Sequence, residues 1–143
     1  MIKKLTTHQA EEDRRNADIL IYVDGELKKR NEATDSVFDS GFMLGDGVWE
    51  ALRLYNGIWA FLDEHIDRLF EAAKAIDLEI GLDRKGVAAA VLQTQKANNM
   101  TTDAHARLMV TRGVKERPFQ HPSLSQFGPT MVIIMEHSKP KFP

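Results

Sequence analysis

The chain has 143 residues, which suits one domain large enough to bury a core, and its 43% hydrophobic and 28% charged residues are typical of a globular protein. A formal net charge of −2 gives no basic field that would attract nucleic acid or an anionic membrane. The sequence has no cysteine, which excludes disulfides and zinc–thiolate sites. It has no stretch as long as a membrane span or a signal-peptide core, so the cytoplasm is the expected location.

Residues 1–61 predict a polar extension followed by two β-hairpins. The extension covers residues 1–17, which are polar and charged. Apolar, branched and aromatic runs bounded by turn residues predict strands over residues 19–23, 48–55 and 58–61. The polar segment 26–30 is either a short edge strand or only the exit from a turn. The dipeptides Asp24-Gly25 and Asn56-Gly57 join these strands in pairs, because both suit the positive φ angles of a type I′ turn. Residues 31–43 have no period and are expected to be irregular.

Two amphipathic helices follow the hairpins. Apolar residues at helical spacing between Ile66 and Ile76 predict a helix that begins at an Asp63 N-cap and runs to about Asp77. Asp83 is predicted to cap a second helix that runs to Asn98. The buried side of this second helix is predicted to hold Val87, Val91 and Leu92.

The rest of the chain predicts two more strands separated by a long loop. The strands cover residues 104–111 and 130–135, and the loop covers residues 114–128, a length that is usually functional or disordered. The resulting order is β-β-β-β-α-α-β-β. It predicts an α+β fold, a two-layer α/β sandwich in which a mainly antiparallel sheet carries both helices on one face.

Arg68 raises the first question of chemistry, because it lies beside the apolar stripe of its helix and not opposite to it. At about 100° per residue, it lies about 130° from the centre of that stripe. Glu64 precedes it by four positions, the favourable order for a helical ion pair of about 0.3–0.5 kcal/mol. The residues alone leave two interpretations open: a solvated charge, which is the commoner case, or a fixed cation that binds a phosphate.

Other candidate sites are weaker. Gly45-Asp46-Gly47 precedes a strand, whereas phosphate-binding glycine loops precede a helix. None of the five histidines has the spacing of two metal ligands on one helical turn, so no metal site is predicted. The arginines near the long loop, which include Arg107 and Arg117, could bind a carboxylate through two hydrogen bonds, although a surface ion pair is the commoner case.

Five segments, in order, carry a resemblance to a known family. They are V-D-G-E (23–26), A-T-D-S-V-F-D-S-G-F-M-L-G-D-G-V-W-E-A-L-R (33–53), Y-N-G (55–57), E-H-I-D-R-L (64–69) and T-R-G (111–113). Together they resemble the small N-terminal domain of the fold-type IV, or class IV, pyridoxal-phosphate aminotransferases. That family includes branched-chain and D-amino-acid aminotransferases, (R)-amine transaminases and aminodeoxychorismate lyase. The resemblance runs from about Ile19 to the end of the chain.

The resemblance assigns roles to four residues. Arg68 matches the arginine of an H-x-x-R-L motif that holds the phosphate of pyridoxal 5′-phosphate, which favours the second interpretation of Arg68. Trp49 matches an aromatic residue on the substrate side, and Arg107 matches an active-site arginine of the branched-chain enzymes. Arg117 stands near the carboxylate-binding arginine of D-amino-acid enzymes, but Phe119 replaces the histidine that accompanies it there. A branched-chain-like substrate is therefore somewhat favoured, and its identity is left open.

The same resemblance divides the chain into the extension 1–17, the small domain 18–137 and the start of an interdomain linker, 138–143. In the family, the lysine that binds the cofactor covalently belongs to a second, larger domain, which this chain lacks. Lys139 and Lys141 lie in the linker, where nothing fixes or desolvates them, so we expect no catalytic residue here and no activity from these 143 residues alone.

The resemblance also implies what the full-length protein does. It would be a homodimer that transfers an amino group between an amino acid or amine and a 2-oxo acid, without a nucleic-acid or membrane partner. The alternatives are an aminodeoxychorismate lyase of the same fold and a non-catalytic dimerisation or docking module.

Overall fold

A computed structural model describes residues 12–140, which form one antiparallel sheet with helices packed against it. In chain order the elements are β1 (Leu20–Val23), β2 (Glu26–Lys29), α1 (Ser40–Leu44), β3 (Gly47–Tyr55), β4 (Ile58–Trp59), α2 (Leu62–Ala75), α3 (Arg84–Ala97), β5 (Ala104–Thr111) and β6 (Thr130–His137). Two short 3-10 helices cover Arg14–Asp18 and Pro122–Leu124. Residues 1–11 of the predicted extension and residues 141–143 of the predicted linker lie outside the described residues.

Both predicted hairpins are present, and their turns have the expected backbone. Asp24 and Gly25 have φ angles of 49° and 93°, and Asn56 and Gly57 have φ angles of 48° and 80°. Two successive positive φ angles give the turn a twist that matches the twist of the strands on either side. The turns therefore place β2 beside β1 and β4 beside β3, both antiparallel.

The sheet has the order β2-β1-β6-β5-β3-β4, and every neighbouring pair is antiparallel. Alternate residues of its central strands are buried against the helices, since α2 packs on β3 while α3 packs on β1 and β6. The core lies between these two layers. The predicted α+β fold with two main helices on an antiparallel sheet is confirmed.

Arg112, in the turn after β5, ties the start of β3 to the end of α2. Its Nε and Nη2 donate to the carboxylate of Asp46 at 2.7 and 3.2 Å, in the turn before β3. Its Nη1 and Nη2 also donate to the backbone carbonyls of Asp77 and Ile76 at 2.6 and 2.7 Å, just beyond α2. A cation at a helix C-terminus is favourable because the carbonyls there have no partner within the helix.

The predicted start of α2 is wrong. The helix begins at Leu62, and its N-cap is Phe61, which has a left-handed backbone with a φ of 53° and makes no side-chain cap hydrogen bond. Asp63 lies inside the first turn together with Glu64, so it contributes negative charge near the positive end of the helix but does not cap it.

Residues 31–43 are not wholly irregular as expected, because the short helix α1 begins at Ser40. Asp39 caps it, and one carboxylate oxygen accepts from the backbone N–H of Gly41 at 2.7 Å. The other oxygen accepts from the hydroxyls of Thr111 and Thr130 at 2.9 and 2.8 Å. These distant partners satisfy a fully buried carboxylate and hold α1 against the ends of β5 and β6.

The prediction for the buried side of α3 is right for Val87 and Val91 and wrong for Leu92, which is exposed. Leu92 lies about 100° around the helix from Val91, and that rotation takes it away from the sheet. None of the helices that the structure describes is long and apolar enough to cross a membrane.

Candidate functional site

Arg68 of α2 and Glu50 of β3 form a bidentate ion pair. The Nε of Arg68 donates to Oε1 of Glu50 at 2.6 Å, and its Nη2 donates to Oε2 at 2.7 Å. Glu50 is only 4% exposed, because it lies on the helix-facing side of β3. The planar guanidinium matches the carboxylate with two parallel hydrogen bonds, so its orientation is fixed. This partner replaces Glu64, which the sequence alone indicated for Arg68.

His65, one helical turn before Arg68, contacts the same carboxylate. Its Nδ1 lies 2.7 Å from Oε2 of Glu50. Burial raises the pKa of Glu50, but the hydrogen bonds from Arg68 and His65 outweigh burial, and the net pKa lies below its ordinary value. The carboxylate in turn raises the pKa of Arg68. Glu50 is therefore ionised at neutral pH and accepts from both side chains.

The same pair leaves the outer side of Arg68 available. A guanidinium has five N–H donors, and Glu50 occupies only two of them. Among the described residues no other acceptor bonds Arg68, whose side chain is 67% exposed. A depression of about 260 Å³ at this point is lined by Phe61, Glu64, His65 and Arg68. The remaining N–H groups fit the oxygens of a phosphate, which need several donors and a fixed positive charge.

Over residues 47–52, one edge of β3 has no partner strand among residues 12–140. β3 pairs with β5 from Gly47 to Leu54, but its pairing with β4 covers only Leu54 and Tyr55. Over residues 47–52 the described part of the chain provides no strand on the other edge. Side chains alternate between the faces of a strand, so Trp49 and Glu50 flank one free edge from opposite faces.

Trp49 and Arg107 meet on the face of the sheet opposite to Glu50. The Cζ of Arg107 lies 4.4 Å from the centre of the Trp49 ring, a cation–π contact, and Trp49 is 57% exposed. Burial, followed by the neighbouring charges of Arg53 and Arg107, lowers the pKa of His105 on this face, and Glu136 offsets only part of the shift. At neutral pH the arginines are therefore the fixed positive charges beside Trp49.

The structure thus places the four predicted site residues in three places: Trp49 and Arg107 on one face of the sheet, Arg68 over the other face, and Arg117 in a loop. Trp49 and Arg107 are in contact, and Arg68 is held by the residue next to Trp49 in the chain. Arg117 is exposed in the loop after β5, and none of the hydrogen bonds or ion pairs of the described residues links its side chain to the other three.

Sequence reasoning assigned no role to Glu50 or to the contact that it makes with His65. The sequence did contain a signal for such a contact, since Glu50 is on the same buried face of its strand as Val48, Leu52 and Leu54. A carboxylate at such a position requires a cation opposite it. Within residues 12–140 no cluster of three or more histidine, aspartate or glutamate side chains could hold a metal ion.

Comparison with known proteins decides the family. Residues 47–142 match the family described as amino-transferase class IV. The chain belongs to this family. It is 39% identical over 127 residues to branched-chain-amino-acid aminotransferase-like protein 1 of Arabidopsis thaliana, covering 89% of this chain and 23% of that protein. It is also 42% identical over 101 residues to D-alanine aminotransferase of Listeria innocua, covering 71% of this chain and 34% of that protein.

Solved structures of a lyase and of a branched-chain amino acid aminotransferase share this fold. A 4-amino-4-deoxychorismate lyase from Pseudomonas aeruginosa gives a TM-score of 0.66 at 28% identity over 87% of this chain and 42% of that chain. The T.th. branched-chain amino acid aminotransferase, solved with pyridoxamine 5′-phosphate, gives a TM-score of 0.72 at 21% identity over 82% of this chain and 40% of that chain. The class IV chain described here thus spans between about a quarter and two fifths of the length of these relatives.

Proposed function

We propose that this chain supplies the phosphate anchor and one wall of the substrate pocket in a pyridoxal-phosphate-dependent aminotransferase. The reaction is the transfer of an amino group between an amino acid or amine and a 2-oxo acid. The observation that carries the proposal is the Arg68–Glu50 pair, which fixes a guanidinium and leaves its outer donors facing solvent. Membership of the class IV family supports the reaction class.

Each residue of the anchor has a separate task. Arg68 donates to the phosphate oxygens through the N–H groups that Glu50 does not use. Glu50 prevents the guanidinium from rotating, and His65 holds the second carboxylate oxygen, so the anchor is preorganised. The bound cofactor supplies an electron sink for the charge that develops at the amino carbon. The anchor supplies position and charge, and no residue here is assigned the proton transfers.

The wall of the pocket is formed by Trp49 and Arg107. The exposed indole offers an apolar surface to a substrate side chain, and the guanidinium stacked on it offers its edge to a carboxylate. A branched-chain-like substrate is favoured, because Phe119 gives the loop after β5 an apolar residue in place of a histidine. We further propose a homodimer and no catalysis by these 143 residues alone.

A phosphate titration tests the anchor directly. Arg68→Lys should weaken the binding of inorganic phosphate and of pyridoxine 5′-phosphate, which lacks the reactive aldehyde, by about tenfold, or 1.4 kcal/mol. The measurement is the shift of the backbone amide resonances of residues 64–69 in ¹⁵N-labelled protein, which the native protein and both variants retain. Arg84→Lys is the matched control, because Arg84 also forms an exposed helix ion pair at 2.6 Å, with Asp67. Equal weakening in both variants would show that only general charge attracts the ligand.

A second candidate is an aminodeoxychorismate lyase. The similarity to the Pseudomonas aeruginosa lyase structure favours it, because it covers 87% of this chain at 28% identity. Both candidates use the same anchor, so the phosphate titration does not separate them. Because we propose no catalysis by these 143 residues alone, the assay uses the full-length protein of the proposal, once with an amino acid plus a 2-oxo acid and once with aminodeoxychorismate.

A further inference from the structure

Lys115 is a buried cation that the proposed cofactor anchor does not use. Within residues 12–140 its side chain is the largest of the fully buried ones, with 2% of the residue exposed. Among the described residues no carboxylate forms an ion pair with it. A buried ammonium is costly unless its hydrogen-bonding groups are satisfied, so its surroundings require an explanation.

The ammonium lies inside a closed loop formed by residues 115–125. Lys115 and Ser125 form an antiparallel bridge at the base of this loop, and the N–H of Glu116 donates to the carbonyl of Leu124 at 2.9 Å. The Nζ of Lys115 donates across the loop to the carbonyl oxygen of His121 at 3.2 Å. That oxygen also accepts from the N–H of Leu124 at 3.1 Å, so both of its lone pairs are used.

Apolar packing does not explain the shape of the loop. Residues 116–123 are all exposed, and Phe119, the only phenylalanine of the loop, is 62% exposed. The internal contacts are instead polar, such as the 2.9 Å bond from the N–H of Phe119 to the carbonyl of Arg117.

A loop with an exposed rim and few apolar contacts opens easily unless a contact crosses it. The Glu116–Leu124 bond and a 3.1 Å bond from Nε2 of Gln126 to Glu116 close the base of the loop. The bond from Lys115 to His121 is the crossing contact beyond that base.

We propose that Lys115 is a positioning residue whose ammonium latches the 115–125 loop and thereby presents Arg117 and Phe119 in one geometry. The base of the loop follows β5, the strand that carries Arg107, and it is anchored by the N–H of Lys115 donating to the carbonyl of Phe38 at 2.9 Å. The inference rests on the proposed function in one respect: it takes the latched loop, which follows the strand that carries Arg107, as the border of the pocket for the carboxylate of an amino-acid substrate. Lys115 thereby influences substrate selection without touching the substrate.

The opposing explanation is that Lys115 only fills space. The two explanations differ in whether the charge matters, and the sequence permits a clean test because it contains no cysteine. In a Lys115→Cys variant the single thiol can be alkylated in denaturant before refolding. Aminoethylation restores an ammonium at the length of lysine, whereas a propyl group has the same shape without the charge.

Opening of the loop is measured by the rate of chymotryptic cleavage after Phe119 and by the rate of hydrogen exchange at the Glu116 and Leu124 amides. The Val110 amide in β5 is the internal control for the exchange measurement. We expect the propylated protein to be cleaved at least tenfold faster, with faster exchange at the two loop amides only. The aminoethylated protein should return to within twofold of the unmodified chain. Equal behaviour of the two alkylated proteins would overturn the latch. If neither refolds, Lys115→Met and Lys115→Arg provide the same contrast with and without charge.

A kinetic measurement separates the latch from the proposed function. In the complete aminotransferase that carries this domain, Lys115→Met should raise KM for the 2-oxo acid at least fivefold and leave kcat within twofold, because the loop orients binding groups. An unchanged KM with a loosened loop would overturn the role in substrate selection. Absence of transaminase activity in the unmodified protein would refute the proposed function, while the cleavage and exchange results would still decide the latch.

Discussion

Glu50→Gln should destabilise the protein far more than Asp67→Asn, although each substitution neutralises the partner of one helix arginine. Glu50 is buried and accepts two bonds from Arg68, with His65 as a third contact. Asp67 has a single 2.6 Å contact with Arg84, and both of these side chains are exposed. Glutamine also replaces one acceptor oxygen by an N–H donor, which would face another N–H donor from Arg68 or His65.

The magnitude follows from burial. Removing one partner of a buried ion pair costs about 3–5 kcal/mol. Because the Arg68 side chain is 67% exposed and regains water, we discount this cost to about 2–3 kcal/mol of the free energy of unfolding. The exposed pair of Asp67 contributes about 0–1 kcal/mol. At roughly 3–5 °C per kcal/mol for a domain of this size, Glu50→Gln should lower Tm by about 6–15 °C.

Urea unfolding followed by tryptophan fluorescence provides the measurement, since Trp49 and Trp59 lie in different environments. The unfolding midpoint should fall strongly for Glu50→Gln at an unchanged m-value and hardly at all for Asp67→Asn. Equal midpoint shifts in the two variants would mean that the buried carboxylate does not hold α2 against β3. The structural basis of the phosphate anchor would then be wrong.

Three further predictions follow from individual residues. Folding lowers the pKa of Glu50, so the ionised carboxylate stabilises the folded protein fully at pH values well above its ordinary pKa of 4.5. This stabilisation should be lost as the pH falls through the folded pKa. The difference in urea midpoint between the native protein and Glu50→Gln should shrink over the same pH range. Gly113→Ala should cost about 3 kcal/mol or more in chemical unfolding, because Gly113 has a φ of 89° and an added Cβ would overlap a backbone carbonyl of the segment before β6. Gly25→Ala is its control, since Gly25 has a φ of 93° and nothing within 4 Å of an added Cβ, so only backbone strain of about 1–2 kcal/mol remains. Trp49→Ala should leave Tm within about 2 °C of the native value, because the indole is largely exposed. Trp59→Ala is its control and should lower the free energy of unfolding by about 3–5 kcal/mol in the same calorimetric scan, because Trp59 is buried. A large loss of Tm for Trp49→Ala would contradict the role of Trp49 as a pocket wall.

The elements that could be predicted from the sequence are those whose causes are local. The turns at Asp24-Gly25 and Asn56-Gly57 depend on two residues each, and the Asp83 cap on α3 depends on a bond to Gly86 three positions away. Helix α1 could not be predicted in this way. Its Asp39 cap is stabilised by Thr111 and Thr130, which lie 72 and 91 positions further along the chain.

The candidate site shows the same division between local and distant causes. The resemblance indicated Arg68, Trp49 and Arg107, but their arrangement depends on pairing between distant strands. Trp49 lies opposite Met109 in the β3–β5 register, and this register brings Arg107 diagonally over the indole. The partner of Arg68 was missed because Glu50 is 18 positions away on another element, whereas Glu64 was near in sequence.

The clamp made by Arg112 has a consequence for the energetics of ligand binding. Helix α2 and strand β3 are joined twice, once through Glu50 and again about two helical turns later through Arg112 and Asp46. Two separate joints remove the hinge that a single joint would allow, so the helix and the strand move as one rigid body. An anion that reaches Arg68 therefore meets a receptor that is already ordered, and little of its binding free energy is consumed in freezing protein motion.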